Sequence, residues 1–506
     1  MRLKVTLSLI LLCFVGCSEP ADPNTPAYWI DQLEEKPTRE QALKELGKMG
    51  DPSSAEAVLV WLKKEGPWQP TAAYTLGQLG AKSSVNELIA QIDYAVGSGR
   101  DRKSQIKNRT NMNIARALGM LKAKEGTQPL MNLLATAAPA AKEQIIRALG
   151  KIQDPAATDS LVQTALYDAE PFLRKTAIQA LGDLGDPKAA DALIEMLYVE
   201  VPGISFYNEA RFSLVQLGPS IAPKLLTTLK RENAKVEKIR LPSGGTIAEG
   251  AIEAKAGVVL GLLRVTEAES AILGVLNGLY KKFQNRTREP IFASIPGAII
   301  ELCFALGNMG TGNAVKTLEK LAADTDFNIR QAAVEALVEA GAKGSATKLL
   351  DYAKSGEGNA QKVAMVGATQ LGEAQNLSAL EALAAKNKTL EAAIGKEKVR
   401  LVAAQECGAK AECWQTKLGD ANYRVREKAA LELGWLNANN ALADLVKSVG
   451  DEQAAVRIAA IQSLHRLKQG DVKKLKEIYK ASKSKIEFNR ANHALKRLIA
   501  QLENAA

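Results

Sequence analysis

The chain has 506 residues, 66 Lys+Arg against 56 Asp+Glu (formal charge +10), 46% hydrophobic residues and only 5% aromatics. That apolar content excludes a wholly disordered chain, and two His exclude most histidine-based metal and general-base chemistry. Few aromatics among many Ala and Leu favour thin, closely packed helices over sheet sandwiches.

The amino terminus reads MRLKVTLSLILLCFVGCSEPADPNTP. Arg2 and Lys4 precede an apolar run from Val5 to Val15. The run is too short to span about 30 Å of hydrocarbon as a mature helix, and it suits the core of a secretory signal. It ends in Phe14-Val15-Gly16-Cys17, which resembles the lipobox of bacterial lipoproteins, with Phe14 where that family usually carries Leu. The resemblance implies removal of residues 1–16 and lipidation of Cys17. Ser18 then goes with sorting to the outer membrane, facing the periplasm. An ordinary cleaved signal with an incidental Cys is the competing reading. Residues 17–27 carry Pro20, Pro23 and Pro26 and read as an extended tether.

From residue 28 to 506 one pattern recurs, clearest in ALGDLGDPKAADALIEML from Ala180 to Leu197. Aligned on Gly182, its copies are anchored at Gly47, Gly77, Gly119, Gly150, Gly182, Val215, Gly261, Gly307, Val338, Thr369, Gln405, Gly434, His465 and Lys496. Nine of the thirteen intervals fall between 29 and 33 residues, so this is a repeat array with insertions. Ala and Leu spaced three and four apart make the apolar stripe of a first helix. Asp-Pro follows at Asp51-Pro52, Asp154-Pro155 and Asp186-Pro187, where Asp caps and Pro opens the second. A lone pair cannot bury its own stripe, so pairs must stack.

These copies resemble the HEAT repeat, in the short variety first grouped with phycobilisome lyase proteins. The resemblance implies an all-α, HEAT-like α-solenoid of about fourteen helix pairs, used as an extended concave surface for a protein partner. It also implies a stacked structural ladder from Asp and Arg six apart: Asp168/Arg174, Asp324/Arg330, Asp420/Arg426 and Asp451/Arg457.

Three insertions interrupt the period, near 93–110, 230–251 and 281–297, and all are basic. The first carries Arg100, Arg102, Lys103, Lys107 and Arg109; the second Lys230, Arg231, Lys235, Lys238 and Arg240; the third Lys281, Lys282, Arg286 and Arg288. All fall after a second helix, so the solenoid should carry them on one rim. They read either as solvated, tolerated loops or as a basic rim for anionic glycan, lipid headgroups or an acidic partner. Residues 466–506 are also basic, which suits a polar terminal cap or an anionic contact. An export signal argues against nucleic acid as a partner.

Cys407 and Cys413 lie six apart in the turn between the helices of one pair, either as a disulfide or as two reduced thiols. Cys303 falls on an apolar stripe. No Cys-x-x-Cys, phosphate-cradling Gly loop or nucleophile elbow occurs. Deoxyhypusine hydroxylase, an enzyme of the HEAT type, binds di-iron through His-Glu pairs, and neither His465 nor His493 is followed by Glu. The sequence therefore points away from enzymes, metals and cofactors other than the covalent lipid. Its leading expectation is a membrane-anchored periplasmic scaffold for envelope proteins. Its second is a binding module for anionic glycan or lipid that uses the basic insertions and the last repeats.

Overall fold

The computed structural model describes residues 22–95, 101–285, 294–310, 312–355, 358–386, 388–482 and 489–505. The signal sequence, Cys17, Arg100, Arg286 and Arg288 lie outside them. The regular elements among the described residues are helices, except for one hairpin that pairs Glu200–Val201 with Ile204–Ser205 and an isolated bridge between Arg240 and Thr246. The chain forms two compact units, Met1–Ala157 and Thr158–Ala506.

Every anchor falls on a first helix. In unit 1 these are α1 (Arg39–Met49), α2 (Gln69–Gln78), α3 (Arg102–Leu121) and α4 (Pro139–Ile152). In unit 2 they are α5 (Pro171–Leu184), α6 (Tyr207–Leu217), α7 (Ala251–Leu262), α8 (Ile295–Met309), α9 (Phe327–Ala340), α10 (Gly358–Leu371), α11 (Val399–Cys407), α12 (Tyr423–Trp435), α13 (Ala454–Leu467) and α14 (Asn489–Ala505). Second helices such as Ala55–Lys63 and Ala190–Met196 alternate with them. An additional helix, Lys388–Glu397, fills the long interval before α11.

The residue before each anchor shows why the pattern folds. Leu46, Leu76, Leu118, Leu149, Leu181, Leu214, Leu260, Leu306, Leu337, Leu433 and Leu464 are each 0% exposed, and Ala368, Ala404 and Leu495 at most 5%. Burying each such Leu contributes about 2 kcal/mol, and the sites run as a ribbon from repeat to repeat. The anchor glycines set the spacing. A Cβ at Gly77 would lie 2.6 Å from Ala117 Cα, and one at Gly261 would lie 2.5 Å from Ala305 Cα. The Asp-Pro turns work as caps: Asp51 accepts from the Ser53 N–H and Asp186 from the Lys188 N–H. Each opens a short 3-10 turn that leads into the second helix.

The insertions are partly helical. The first extends α3 at its amino end, and the third extends the helix Glu269–Gln284 at its carboxyl end. The second holds a one-turn helix, Ala234–Glu237, and the Arg240–Thr246 bridge. The Glu200–Ser205 hairpin interrupts the helical pattern between α5 and α6.

Candidate functional site

Within unit 2 the first-helix layer lies on the inside of the curve, because first helices far apart in sequence meet there. Helix α14 packs on α6, with the Lys496 ammonium 4.3 Å from the Phe212 ring. At α13, His465 Nδ1 accepts from Arg264 Nε, just past α7, at 3.0 Å, and Arg466 donates to the Glu339 carbonyl at the end of α9. A Cβ on Gly341, which caps α9, would lie 2.7 Å from the Trp435 indole of α12. The interior of unit 2 is thus filled largely by its own side chains.

The charges there are mostly paired. Lys428 is 0% exposed and donates to Gln370 O at 2.6 Å, Gly372 O at 3.0 Å and Glu432 Oε1 at 2.7 Å. Burial pushes its ammonium down to about 8. Arg400 bridges Glu397 and Glu427, and Gln370 donates to Glu427 at 2.8 Å. Burial, with Arg264, Arg497 and Arg466 nearby, pushes His465 down to about 3, so it stays neutral. Burial likewise lowers the Arg497 guanidinium to about 10 and raises the Glu339 carboxyl. A cavity of about 370 Å³ stays open between α9, α10, α12 and α13, lined by Val334, Val338, Val363, Val366, Leu431 and Ile458 together with Gln331, Glu335 and Lys362.

Unit 1 keeps its first-helix face open. Its stripe is exposed at Lys44 and Lys48 on α1, Gln78 on α2, Arg109, Arg116 and Met120 on α3 and Lys151 on α4, and half-buried at Tyr74, Asn113, Gln144 and Arg147. A cavity of about 340 Å³ lies between α1, α2 and α3 and includes Lys44, Lys48, Tyr74, Gln78, Arg109 and Asn113. The polar groups are tied across repeats. Asn113 donates to Pro70 O at 2.7 Å, while Arg116 gives Nη1 to Asn113 Oδ1 at 3.3 Å and Nε to Gln144 Oε1 at 2.9 Å.

The basic insertion residues are distributed unevenly. Lys107 pairs with Asp93 at 2.5 Å, Lys103 with Glu65 at 3.8 Å, Arg231 with Glu237 at 2.6 Å, and Lys282 with Glu249. Arg240 donates to the Glu237 and Ile239 carbonyls. Lys230, Lys235 and Lys238 lie around the short helix, and Lys281 lies on the extended one. Arg109 lies on the inner face, not on a rim. Arg102, Lys103 and Lys107 border a separate cavity of about 370 Å³ with Glu65, Gly66 and Gln69.

The ladder residues lie at the starts of first helices. Arg330 donates to Asp324 O, Arg426 to Asp420 O and Arg457 to Asp451 O, each six residues back. Arg174 reaches Ala165 O. The Asp side chains accept from N–H groups two residues on, as in Asp168 with Glu170, Asp324 with Asp326, Asp420 with Asn422 and Asp451 with Gln453. Arg426 also forms a two-bond fork with Asp451 of the next repeat, at 2.8 and 3.0 Å. The Asp/Arg pattern missed four residues that do the same work: Arg39, Gln69, Asn111 and Gln361 donate to Leu33 O, Leu62 O, Asp93 O and Ala353 O. All eight donors stand eight residues before an anchor, a signal present in the sequence once the register is set.

Cys407 and Cys413 form a disulfide across the turn from α11 to the helix Ala411–Lys417. Cys303 is buried and reduced, its thiol pushed up to about 12 by burial. Among the described residues, no group of three or more His, Cys, Asp or Glu is placed to hold a metal ion.

The model of the HEAT repeats matches residues 107–170, 127–204, 297–366 and 414–496. The chain carries HEAT repeats and folds as an all-α solenoid of stacked helix pairs. No curated protein matches it in sequence. Similar solved structures include the CpcE–CpcF complex of phycocyanin lyase from Nostoc sp. PCC7120, at 18% identity over 58% of this chain and 100% of that one (TM-score 0.29). Human deoxyhypusine hydroxylase is 19% identical over 61% of this chain and 98% of its own (TM-score 0.21). Kap95 in its complex with Nup1 is 12% identical over 95% and 66% (TM-score 0.42).

Proposed function

We propose that this protein is a lipid-anchored periplasmic scaffold of the bacterial envelope, held at the outer membrane, that binds a protein partner on the first-helix face of unit 1. The observation that carries the reading is the contrast between the two inner faces. In unit 2 the closing contacts of α6 with α14, α7 and α9 with α13, and α9 with α12 occupy most of the inner face. In unit 1 the corresponding stripe stays exposed, with a cavity along it. The lipid on Cys17 is supported by the lipobox alone.

The test has two arms. Cys17→Ala should move the protein from the membrane fraction to the soluble periplasmic fraction. A photo-crosslinking residue at Gln78, on the inner face, should yield a protein adduct in cells. The same residue at exposed Asn132, on the helix Thr127–Thr136 of the other layer, should not. Unchanged fractionation defeats the anchor, and equal or absent adducts defeat the scaffold.

A second reading, binding of anionic glycan or lipid at the first insertion, is supported by the cavity that Arg102, Lys103 and Lys107 border. It is weakened because Lys103 and Lys107 already have acidic partners.

A further inference from the structure

The partner's chemistry is legible in unit 1. Across α1 to α4 the stripe carries six cations: Lys44, Lys48, Arg109, Arg116, Arg147 and Lys151. Lys44, Lys48 and Arg147 have an acid on their own helix, Glu40, Glu45 and Glu143 respectively. Such exposed pairs within one helix are worth only a few tenths of a kcal/mol and exchange readily for a better anion. Arg109, Arg116 and Lys151 have no acidic partner among the described residues. The face therefore keeps a cationic excess along its length.

Arg116 is more than a charge. Its Nε and Nη1 are committed to Gln144 and Asn113 on two different helices. That fixes the guanidinium plane and leaves Nη2, with the second N–H of Nη1 beside it, for an incoming acceptor. A guanidinium held flat in this way suits a carboxylate, which it meets through parallel N–H bonds. Gln78, Gln144 and Tyr74 add donors and acceptors of the kind that match a peptide backbone, and Met120 offers one exposed apolar contact. The stripe lacks a set of exposed flat aromatics on which sugar rings could stack.

We infer that the first-helix face of unit 1 binds an acidic, extended polypeptide segment, resting on the scaffold reading above. Four first helices spaced about 9–10 Å apart make a track of roughly 30 Å. An extended chain at about 3.3 Å per residue covers it in nine residues or so. Carboxylates on one side of such a strand recur about every 6.6 Å, closer than the helix spacing, so each helix has one within a few ångström along the track.

The probes are a fluorescein-labelled nonapeptide alternating Glu with Ser, its Lys/Ser counterpart and a sulfated octasaccharide, titrated into the full chain by anisotropy at low and physiological salt. The acidic peptide should bind, weaken as salt rises, and lose roughly tenfold in affinity with Arg109→Glu/Arg116→Glu. Both residues are exposed, so the variant should melt like the wild type. Lys473→Glu/Lys474→Glu, in the last repeats, should leave binding unchanged. Absence of binding, equal binding of the Lys/Ser peptide, or indifference to the double reversal overturns the inference. An octasaccharide that binds more tightly and loses affinity in the same variant transfers the face to glycan. If the Gln78 adduct forms equally well with the double reversal, the acidic-segment inference fails and the scaffold stands. If the peptide binds but no cellular adduct forms, the scaffold fails instead.

Discussion

The close packing at the anchor glycines makes a prediction of opposite signs at two helical glycines. Gly261 lies in α7, and a Cβ there would stand 2.5 Å from Ala305 Cα, 2.7 Å from Ala305 O and 2.9 Å from Ala305 Cβ of α8. Ordinary carbon contacts are about 3.5–4.0 Å, so Gly261→Ala forces the two backbones about 1 Å apart. Helix propensity favours Ala over Gly by about 1 kcal/mol, whereas overpacking of this kind costs about 1–3 kcal/mol. Because the obstructing atoms are backbone on both sides, the upper part of that range applies, and the net effect should be a loss of about 1–2 kcal/mol. Gly274 is the control. It lies in the helix Glu269–Gln284 with nothing within 4 Å of its would-be Cβ. Gly274→Ala should therefore gain about 0.5–1 kcal/mol. Urea denaturation followed by far-UV circular dichroism reads both as shifts of the transition that includes unit 2. If Gly261→Ala is neutral or stabilising, the helices are not held at glycine distance and the account of the anchor is wrong.

Other predictions test the interior of unit 2. Lys428→Met leaves Gln370 O and Gly372 O without this donor and Glu432 with Lys343 alone, and should cost about 1–3 kcal/mol in the same denaturation assay. His465 is held neutral with a folded pKa of about 3, against 6.5 for the unfolded chain. As pH falls, the unfolded chain takes up this proton first, so stability is full above 6.5 and drains away down to about 3. His465→Asn keeps an acceptor for Arg264 without the titration and should flatten that acid limb; an unchanged pH profile would sink the assignment. Cys407→Ser/Cys413→Ser removes a bond that closes a short loop and should cost about 2 kcal/mol. Hydrogen exchange should localise the loss to α11 and the helix Ala411–Lys417.

The repeat was readable because its signal is local. Leu46, Leu181 and Leu433 each precede an anchor, and each is fully buried against the next pair. A spacing rule for one helix predicts that outcome without knowledge of the rest. The full ladder was only half readable. The Asp/Arg spacing found Arg174, Arg330, Arg426 and Arg457, but at the same position Gln69 and Asn111 reach a carbonyl with an amide. The role requires a donor of sufficient length, not a particular charge. The closure of unit 2 could not be read at all. Arg264 and His465 are 201 residues apart, and their meeting depends on small rotations accumulated over several repeats. Insertions change that sum without leaving a pattern in composition.

The same asymmetry explains why two arrays built on one repeat end differently. On the inside of unit 2, residues from non-adjacent repeats are complementary: Lys343 meets Glu432 at 2.7 Å, and Arg264 lies 3.5 Å from Glu339. Such pairs, once desolvated, hold the curve closed and leave little for a partner. On the inside of unit 1 the facing side chains are mainly cations and amides, with each nearby acid on the same helix as a cation. Tighter curvature there would bring Lys48, Arg109 and Arg116 toward one another, at an electrostatic cost that rises as water is excluded. An acidic segment laid along the stripe removes that cost and supplies the carboxylates that unit 2 finds within itself. The sign pattern of the stripe, more than the repeat that carries it, thus separates a face that closes on itself from one that stays exposed.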